Sequence, residues 1–245
     1  MCPASASHVE YDMTPPSSNT ALLIGASRGL GYAMACEYLQ RGWRVIATGR
    51  EHSTASLQTL AGQYPDALRV ETVDITAPEQ VAALRTRLEG EAIDLLFVNA
   101  GVTNDDDDTA ATVSTDEFVR VMVTNALSPL RVVAAFEALV PASGTIGVMS
   151  SGQGSLANNT NGAHDVYRGS KAALNMYMRS FAARYADDPR TLLLMAPGWV
   201  QTDMGGPGAR LTIAESIPKL VDTITAQQGR AGLQYLDYLG RTVPW

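Results

Sequence analysis

The chain of 245 residues contains two cysteines, three histidines and no excess of positive charge. Cys2 and Cys36 are too few for a disulfide framework or a zinc cluster, which suits a reducing, cytoplasmic setting. With a formal net charge of −7 there is no basic surface for nucleic-acid backbones or anionic lipids. Neither nucleic acid nor membrane is therefore expected as a partner. The chain opens without the basic start and apolar stretch of a signal peptide, and no run reads as a membrane-spanning helix. Asp105 to Asp108 are four carboxylates in a row, but neighbours in an extended loop do not converge on one ion. They read as a solvated loop, and no metal site is expected.

The sequence is 46% hydrophobic and 18% charged, which is enough for a globular core, and its length suits one large α/β domain. Residues 1–19, rich in Ser, Pro, Ala and His, read as a flexible leader ahead of a domain over 20–245. From Thr20, short apolar runs alternate with segments of helical spacing. The runs are Ala21–Ile24, Val45–Thr48, Val70–Val73, Leu95–Val98, Thr145–Met149, Leu192–Met195 and Leu233–Leu236, and they predict seven buried parallel strands. Helices are expected over Leu30–Arg41, Ser53–Gln63, Pro78–Gly90, Thr115–Val140, Val166–Tyr185 and Leu211–Gln227. Right-handed βαβ crossovers place helices on both faces of such a sheet. The expected fold class is α/β, a single-domain, doubly wound Rossmann-type sandwich.

The first strand runs into Gly25-Ala26-Ser27-Arg28-Gly29-Leu30-Gly31 and then a helix. Glycines there permit a tight turn and let backbone approach a pyrophosphate, while the helix N-terminus offers free N–H groups to the phosphates. A purely structural turn is the plainer alternative. The same stretch also fits the Gly-x-Ser-x-Gly pattern of a hydrolase elbow with Ser27 as nucleophile. That elbow normally follows several strands, and its histidine comes after a late acid, whereas His164 is the last histidine here.

Tyr167-Arg168-Gly169-Ser170-Lys171 places a phenol and an ammonium four residues apart, on one face of a helix. The positive charge is expected to lower the phenol pKa from about 10, so that Tyr167 exchanges a proton with a carbonyl or alcohol oxygen as general acid or base. Upstream, the fifth strand delivers Ser150 and Ser151 to the C-terminal edge of the sheet, where open α/β proteins bind ligands.

Taken together, these motifs resemble the short-chain dehydrogenase/reductase family over nearly everything from Thr20 onward. The resemblance implies that Asn125, Ser151, Tyr167 and Lys171 are catalytic, with Ser150 as the alternative serine. It assigns cofactor contacts to Gly25, Ser27, Arg28, Gly29, Leu30 and Gly31, to Asp74 and Ile75 after the third strand, and to Asn99-Ala100-Gly101 after the fourth. Tyr167 and Lys171 contact the cofactor as well, as do Pro197, Gly198, Val200 and Thr202 after the sixth strand.

The second strand ends Thr48-Gly49-Arg50, without the carboxylate that usually holds the ribose of NAD. Arg50, with Arg28 from the glycine loop, would welcome a 2′-phosphate, so NADP(H) is preferred while NAD(H) stays open. Tyr167 follows Ser151 by sixteen positions, a wider gap than is commonest in the family. This insertion, the Gly198-Trp199-Val200 turn and the ending Val243-Pro244-Trp245 resemble the branch holding the sniffer carbonyl reductases and the bacterial C-factor proteins. That implies NADPH-dependent reduction of ketones or aldehydes. The rival it leaves is a dinucleotide-binding signalling or sensor protein with little catalysis. Gln153 and His164 in the long loop, with Trp199 and Met204 near the glycine-rich Gly205–Gly208 segment, are candidate substrate contacts. A small-molecule carbonyl or alcohol is the expected partner. The family also suggests a homodimer or homotetramer joined through the helices over Thr115–Val140 and Val166–Tyr185.

Overall fold

Strand β1 (Thr20–Ile24) is buried along its whole length, which is why its apolar run does not alternate with polar residues. Leu22 and Ile24 point into one core while Ala21 and Leu23 point into another on the opposite face. The strand is thus sandwiched, as strict side-chain alternation requires. The computed structural model describes residues 19–105 and 107–245. The expected leader lies outside the described residues except for Asn19, and Asp106 of the acidic run lies outside them too.

Six further strands join it: β2 (Arg44–Gly49), β3 (Leu68–Thr72), β4 (Leu95–Val98), β5 (Thr145–Met149), β6 (Thr191–Ala196) and β7 (Gly232–Asp237). All pair in parallel, in the order β3-β2-β1-β4-β5-β6-β7. Helices α1 (Gly29–Gln40), α2 (Ala55–Gln63) and α7 (Ile213–Ala226) cover one face, through residues such as Met34, Leu57 and Leu220. Helix α3 (Pro78–Arg87) and the helical segments described next cover the other, through Leu84, Phe136 and Leu174. The single-domain Rossmann-type sandwich expected from the alternation is what the chain forms. The chain reverses direction across the sheet between β1 and β4, which opens a crevice at the C-terminal strand ends.

The long apolar segment after β4 departs from expectation. Instead of one regular helix over Thr115–Val140 it comprises α4 (Thr115–Met122), a π-helical turn (Val123–Leu127), α5 (Ser128–Phe136) and a 3-10 turn (Glu137–Leu139). The physical reason is Asn125, whose buried amide bonds to a neighbouring loop, and a widened turn brings it there. The expectation that no run reads as a membrane-spanning helix also needs correction. By length and composition alone Thr115–Leu139 is long and apolar enough to cross a bilayer, since it spans 25 residues and contains an 18-residue stretch of mean hydropathy 1.3. In this fold it packs on β4, α3 and helix α6 (Asp165–Arg184).

Candidate functional site

The glycine loop is shaped by backbone approach. Gly25 has φ +87°, and a Cβ there would lie 2.8 Å from the backbone of Ala100. A Cβ on Gly31 would lie 2.2 Å from the carbonyl oxygen of Gly25 and 2.6 Å from Asn99 Nδ2. Asn99 fixes this geometry by donating from Nδ2 to Gly25 O at 2.7 Å, and the Asn99 and Ala100 amides both donate to Ile24 O. Ala26 N donates to Thr48 O at 2.7 Å, anchoring the loop to β2. The result is a tight, side-chain-free cradle at the N-terminus of α1, where Leu30 packs toward the core.

At the end of β2 a Cβ on Gly49 would lie 3.0 Å from Ser27 Cβ and 3.1 Å from Ser53 Oγ. Two hydroxyl-bearing residues therefore crowd the strand end next to the exposed Arg50. Arg28, by contrast, pairs with Asp203 at 2.5 Å across the crevice, with both side chains exposed. Asp74 caps its own loop, its Oδ1 accepting from Thr76 N at 2.8 Å and from Thr76 Oγ1 at 2.7 Å. Ile75 is 5% exposed and packed into the core.

Opposite the glycine loop, the segment after β6 forms the second wall. Pro197 O accepts from Ser216 Oγ at 2.7 Å, and Val200 is buried. Gly198 has φ +85°, and a Cβ there would lie 2.6 Å from Leu211 Cδ1. Thr202 Oγ1 accepts from Gly205 N at 3.0 Å, and its methyl would lie 3.9 Å from a Cβ on Gly29. Between these walls lies a cleft of about 480 Å³ lined by Arg28, Gly29, Thr202, Asp203, Gly206 and Ile213. Trp199, half-exposed, donates from Nε1 to Gly205 O at 2.8 Å, and Met204 is likewise exposed on this segment.

Deeper along the strand ends stand the phenol and the ammonium, both on α6. Lys171 is 3% exposed and donates from Nζ to Met149 O at 2.9 Å. Its Nζ lies 5.8 Å from the centroid of the Tyr167 ring. The expected lowering of the tyrosine pKa by this charge does not occur in the protein alone. Burial pushes the phenol up to about 12, opposed by a hydrogen bond with the Ser151 side chain, and a neighbouring Tyr235 adds to the rise. Burial also pushes the Lys171 ammonium down to about 8. Desolvation dominates at both groups, and the Lys171 ammonium donates its hydrogen bond to the Met149 carbonyl.

The two serines separate by environment. Ser150 Oγ donates to Asn175 Oδ1 at 2.6 Å in a buried contact, whereas Ser151 Oγ accepts from Gln153 N at 3.1 Å and meets Tyr167. Asn125 is fully buried in the π turn. Its Nδ2 donates to Val102 O at 2.8 Å and to Ser170 Oγ at 2.9 Å, and its Oδ1 accepts from Val102 N at 2.8 Å. A Cβ on Gly101 would stand 3.3 Å from Asn125 Oδ1 and 3.5 Å from Lys171 Nζ, so this glycine opens the space between them. His164 precedes α6 in a left-handed conformation (φ +58°), the one positive φ outside glycine among the described residues. Gln153 Oε1 is buried without a hydrogen-bond partner.

Several contributors escaped sequence reasoning. Asn175 lies one helical turn beyond Lys171, so its position on the same face was a usable signal. Asp203 and Tyr235 had none, because their partners lie 175 and 84 residues away.

A doubly wound sheet with a glycine cradle at its switch point, and a Ser-Tyr-Lys group beside it in which the lysine is buried, defines a class of dinucleotide-dependent oxidoreductases. Residues 19–210 match the family model for short chain dehydrogenases, and the chain belongs to that family of oxidoreductases. It is 37% identical over 163 residues to C-signal of Myxococcus xanthus, covering 62% of this chain and 93% of that one. A putative short-chain dehydrogenase/reductase from Burkholderia multivorans with bound NADP is 60% identical, with a TM-score of 0.92 over 93% of this chain and 100% of that one. The carbonyl reductase Sniffer of D. melanogaster is 27% identical, with a TM-score of 0.84 over 93% of this chain and all of the other. The resemblance to the sniffer and C-factor branch therefore holds.

Proposed function

We propose that the protein is an NADP(H)-dependent carbonyl reductase that interconverts a ketone or aldehyde and its alcohol, with Tyr167 as the general acid or base. The observation that carries this reading is the convergence of Ser151, Tyr167 and Lys171 at the end of β5, next to the glycine cradle. The cradle fits a dinucleotide because Gly25 and Gly31 leave room that any side chain would fill, and Asn99 and Gly101 border it. When bound, NADPH supplies the hydride.

The chain's own residues supply the rest. Ser151 hydrogen-bonds the substrate oxygen and Tyr167 hands it a proton. Lys171 holds positive charge over the Tyr167 ring, and Asn125 keeps the π turn and Val102 in register beside it. Gly25, Ser27, Arg28, Gly29, Leu30 and Gly31 take the phosphates. Asp74, Ile75, Asn99, Ala100 and Gly101 border the adenosine half, while Pro197, Gly198, Val200 and Thr202 receive the nicotinamide end. Gln153, His164, Trp199 and Met204 border the substrate.

The reading of the 2′-phosphate rests on Arg50, with Ser27 and Ser53 beside it. Arg28 is already engaged by Asp203, so Arg50 carries the larger share of the selectivity. Substituting Arg50→Ala should weaken NADPH binding by about tenfold or more while leaving NADH within about twofold, since a charge-assisted phosphate contact contributes roughly 1.5–3 kcal/mol. Titration of both cofactors by fluorescence checks this, and equal losses would remove the assignment. Mixing the protein with NADPH and a panel of aldehydes and ketones tests the activity itself. Tight binding with no oxidation of NADPH across the panel favours the sensor reading. Ester cleavage without cofactor favours a hydrolase.

A homodimer or homotetramer would use the outer face of the π turn, α5 and α6, where Leu127 and Tyr177 are exposed beside Phe181 and a groove of about 220 Å³. Light scattering should then give two or four times the 26.1 kDa of one chain, and a monomer at micromolar concentration would end that expectation.

A further inference from the structure

We infer that Tyr235, on β7, is a positioning residue that holds Ser151 in place for proton transfer, an inference that rests on the reductase reading of the site. The last ladder bond in this region is Ser150 N to Met195 O at 2.8 Å, after which the chain leaves the sheet. The Ser151 carbonyl therefore has no strand partner, although buried backbone oxygens require one. It accepts from two sources: the Gly154 amide at 2.9 Å within the following 3-10 turn, and the Tyr235 hydroxyl. The first is local and would follow Ser151 wherever the turn moved. Tyr235 instead ties the residue to a strand two places away in the sheet, and β7 is held to β6 through Tyr235 opposite Leu194.

The anchor is itself rigid. Tyr235 is 2% exposed, and its ring packs against Trp245 with centroids 5.5 Å apart. The Arg179 guanidinium covers the Trp245 ring at 4.8 Å, and Trp245 O accepts from Ala157 N at 3.1 Å in the long loop after Ser151. A second brace comes from Asn175, which accepts from Ser150 and donates to Gly154 O at 3.2 Å. Serine 151 is thus gripped on both sides of its backbone, while its hydroxyl remains free to meet Tyr167 and substrate. A tether on the carbonyl limits how far the Ser151 Cα can shift, and the hydroxyl is carried on that same Cα.

Tyr235→Phe keeps the ring and its packing and removes only the oxygen. The expected result is a fall of about 3- to 10-fold in kcat, the equivalent of one hydrogen bond, with the NADPH dissociation constant unchanged. The same change made on top of Ser151→Ala should cost less than about twofold, because there is no longer a hydroxyl to position. Equal losses in both backgrounds, or no loss in the first, would overturn the inference. A crystal structure of Tyr235→Phe reads the same point without turnover. Displacement of Ser151 Oγ from the Tyr167 hydroxyl supports the role, and an unmoved side chain refutes it. If the unaltered protein reduces no carbonyl compound, the reductase reading fails on that assay alone, while the crystal structure still judges the tether between Tyr235 and Ser151.

Discussion

Replacing Tyr167 with phenylalanine should lower kcat for carbonyl reduction by about 10²- to 10⁴-fold, the range typical of a lost general acid, while NADPH still binds. The ring stays under the same packing, and Lys171 keeps its bond to Met149 O, so the fold should be preserved. What disappears is the proton for the substrate oxygen. The pH dependence should carry the same signature. With the phenol pushed up to about 12, Tyr167 is protonated across the neutral range and ready to donate. Lys171, pushed down to about 8, is charged below that value and neutral above it. In reduction, kcat/KM should therefore hold steady at lower pH and fall as pH rises through about 8. Lys171→Arg should move that limb upward, because a guanidinium does not lose its proton in this range. Stopped-flow or steady-state rates from pH 6 to 10 would show it. A phenylalanine variant with near-normal turnover would remove Tyr167 from the chemistry.

Gly31→Ala should nearly abolish dinucleotide binding, by about 100-fold or more. A methyl group at Gly31 meets Gly25 O at 2.2 Å and Ala26 Cα at 2.9 Å, and neither is the end of a flexible side chain. It also meets Asn99 Nδ2 at 2.6 Å, whose bond to Gly25 O sets the loop. Backbone must move to relieve the clash, and the loop closes or lifts from its strand. Overpacking of this kind costs about 1–3 kcal/mol in stability, a loss that a melting curve would register. The loss in binding should be larger than this, because the cradle must present several N–H groups at once. Calorimetric titration with NADPH, compared with Gly169→Ala on the open face of α6, would separate the local effect from a general one. A binding constant within about threefold of the original would contradict it.

Much of this arrangement was legible in the residues alone. Strands β4 and β5 fall where their apolar runs begin and end, because both faces of each are buried and nothing polar interrupts them. The glycine loop was legible for a similar reason, since only glycine tolerates the positive φ and close approach at Gly25. The choice between Ser150 and Ser151 was not. Adjacent residues at a strand end point to opposite sides, and which side faces Tyr167 depends on where Asn175 sits. Nor could the tyrosine pKa be foreseen from an i, i+4 pair. Helical spacing gives proximity, whereas the balance between burial and charge depends on the surroundings of both groups. Arg28 illustrates the same limit, because its neighbour Asp203 arrives from a loop far along the chain.

The π turn at Val123–Leu127 ties the proposed site and the architecture to a single local irregularity. One extra residue in a helix rotates everything after it by about 100° relative to a regular continuation. Val132, Val133 and Phe136 face the sheet because of that rotation, just as Asn125 reaches Val102 because of it. Deleting any one of these five residues would straighten the rod, strip the asparagine from its loop and swing apolar side chains into water together. An inheritable change that improved the one could not do so by erasing the irregularity without forfeiting the other.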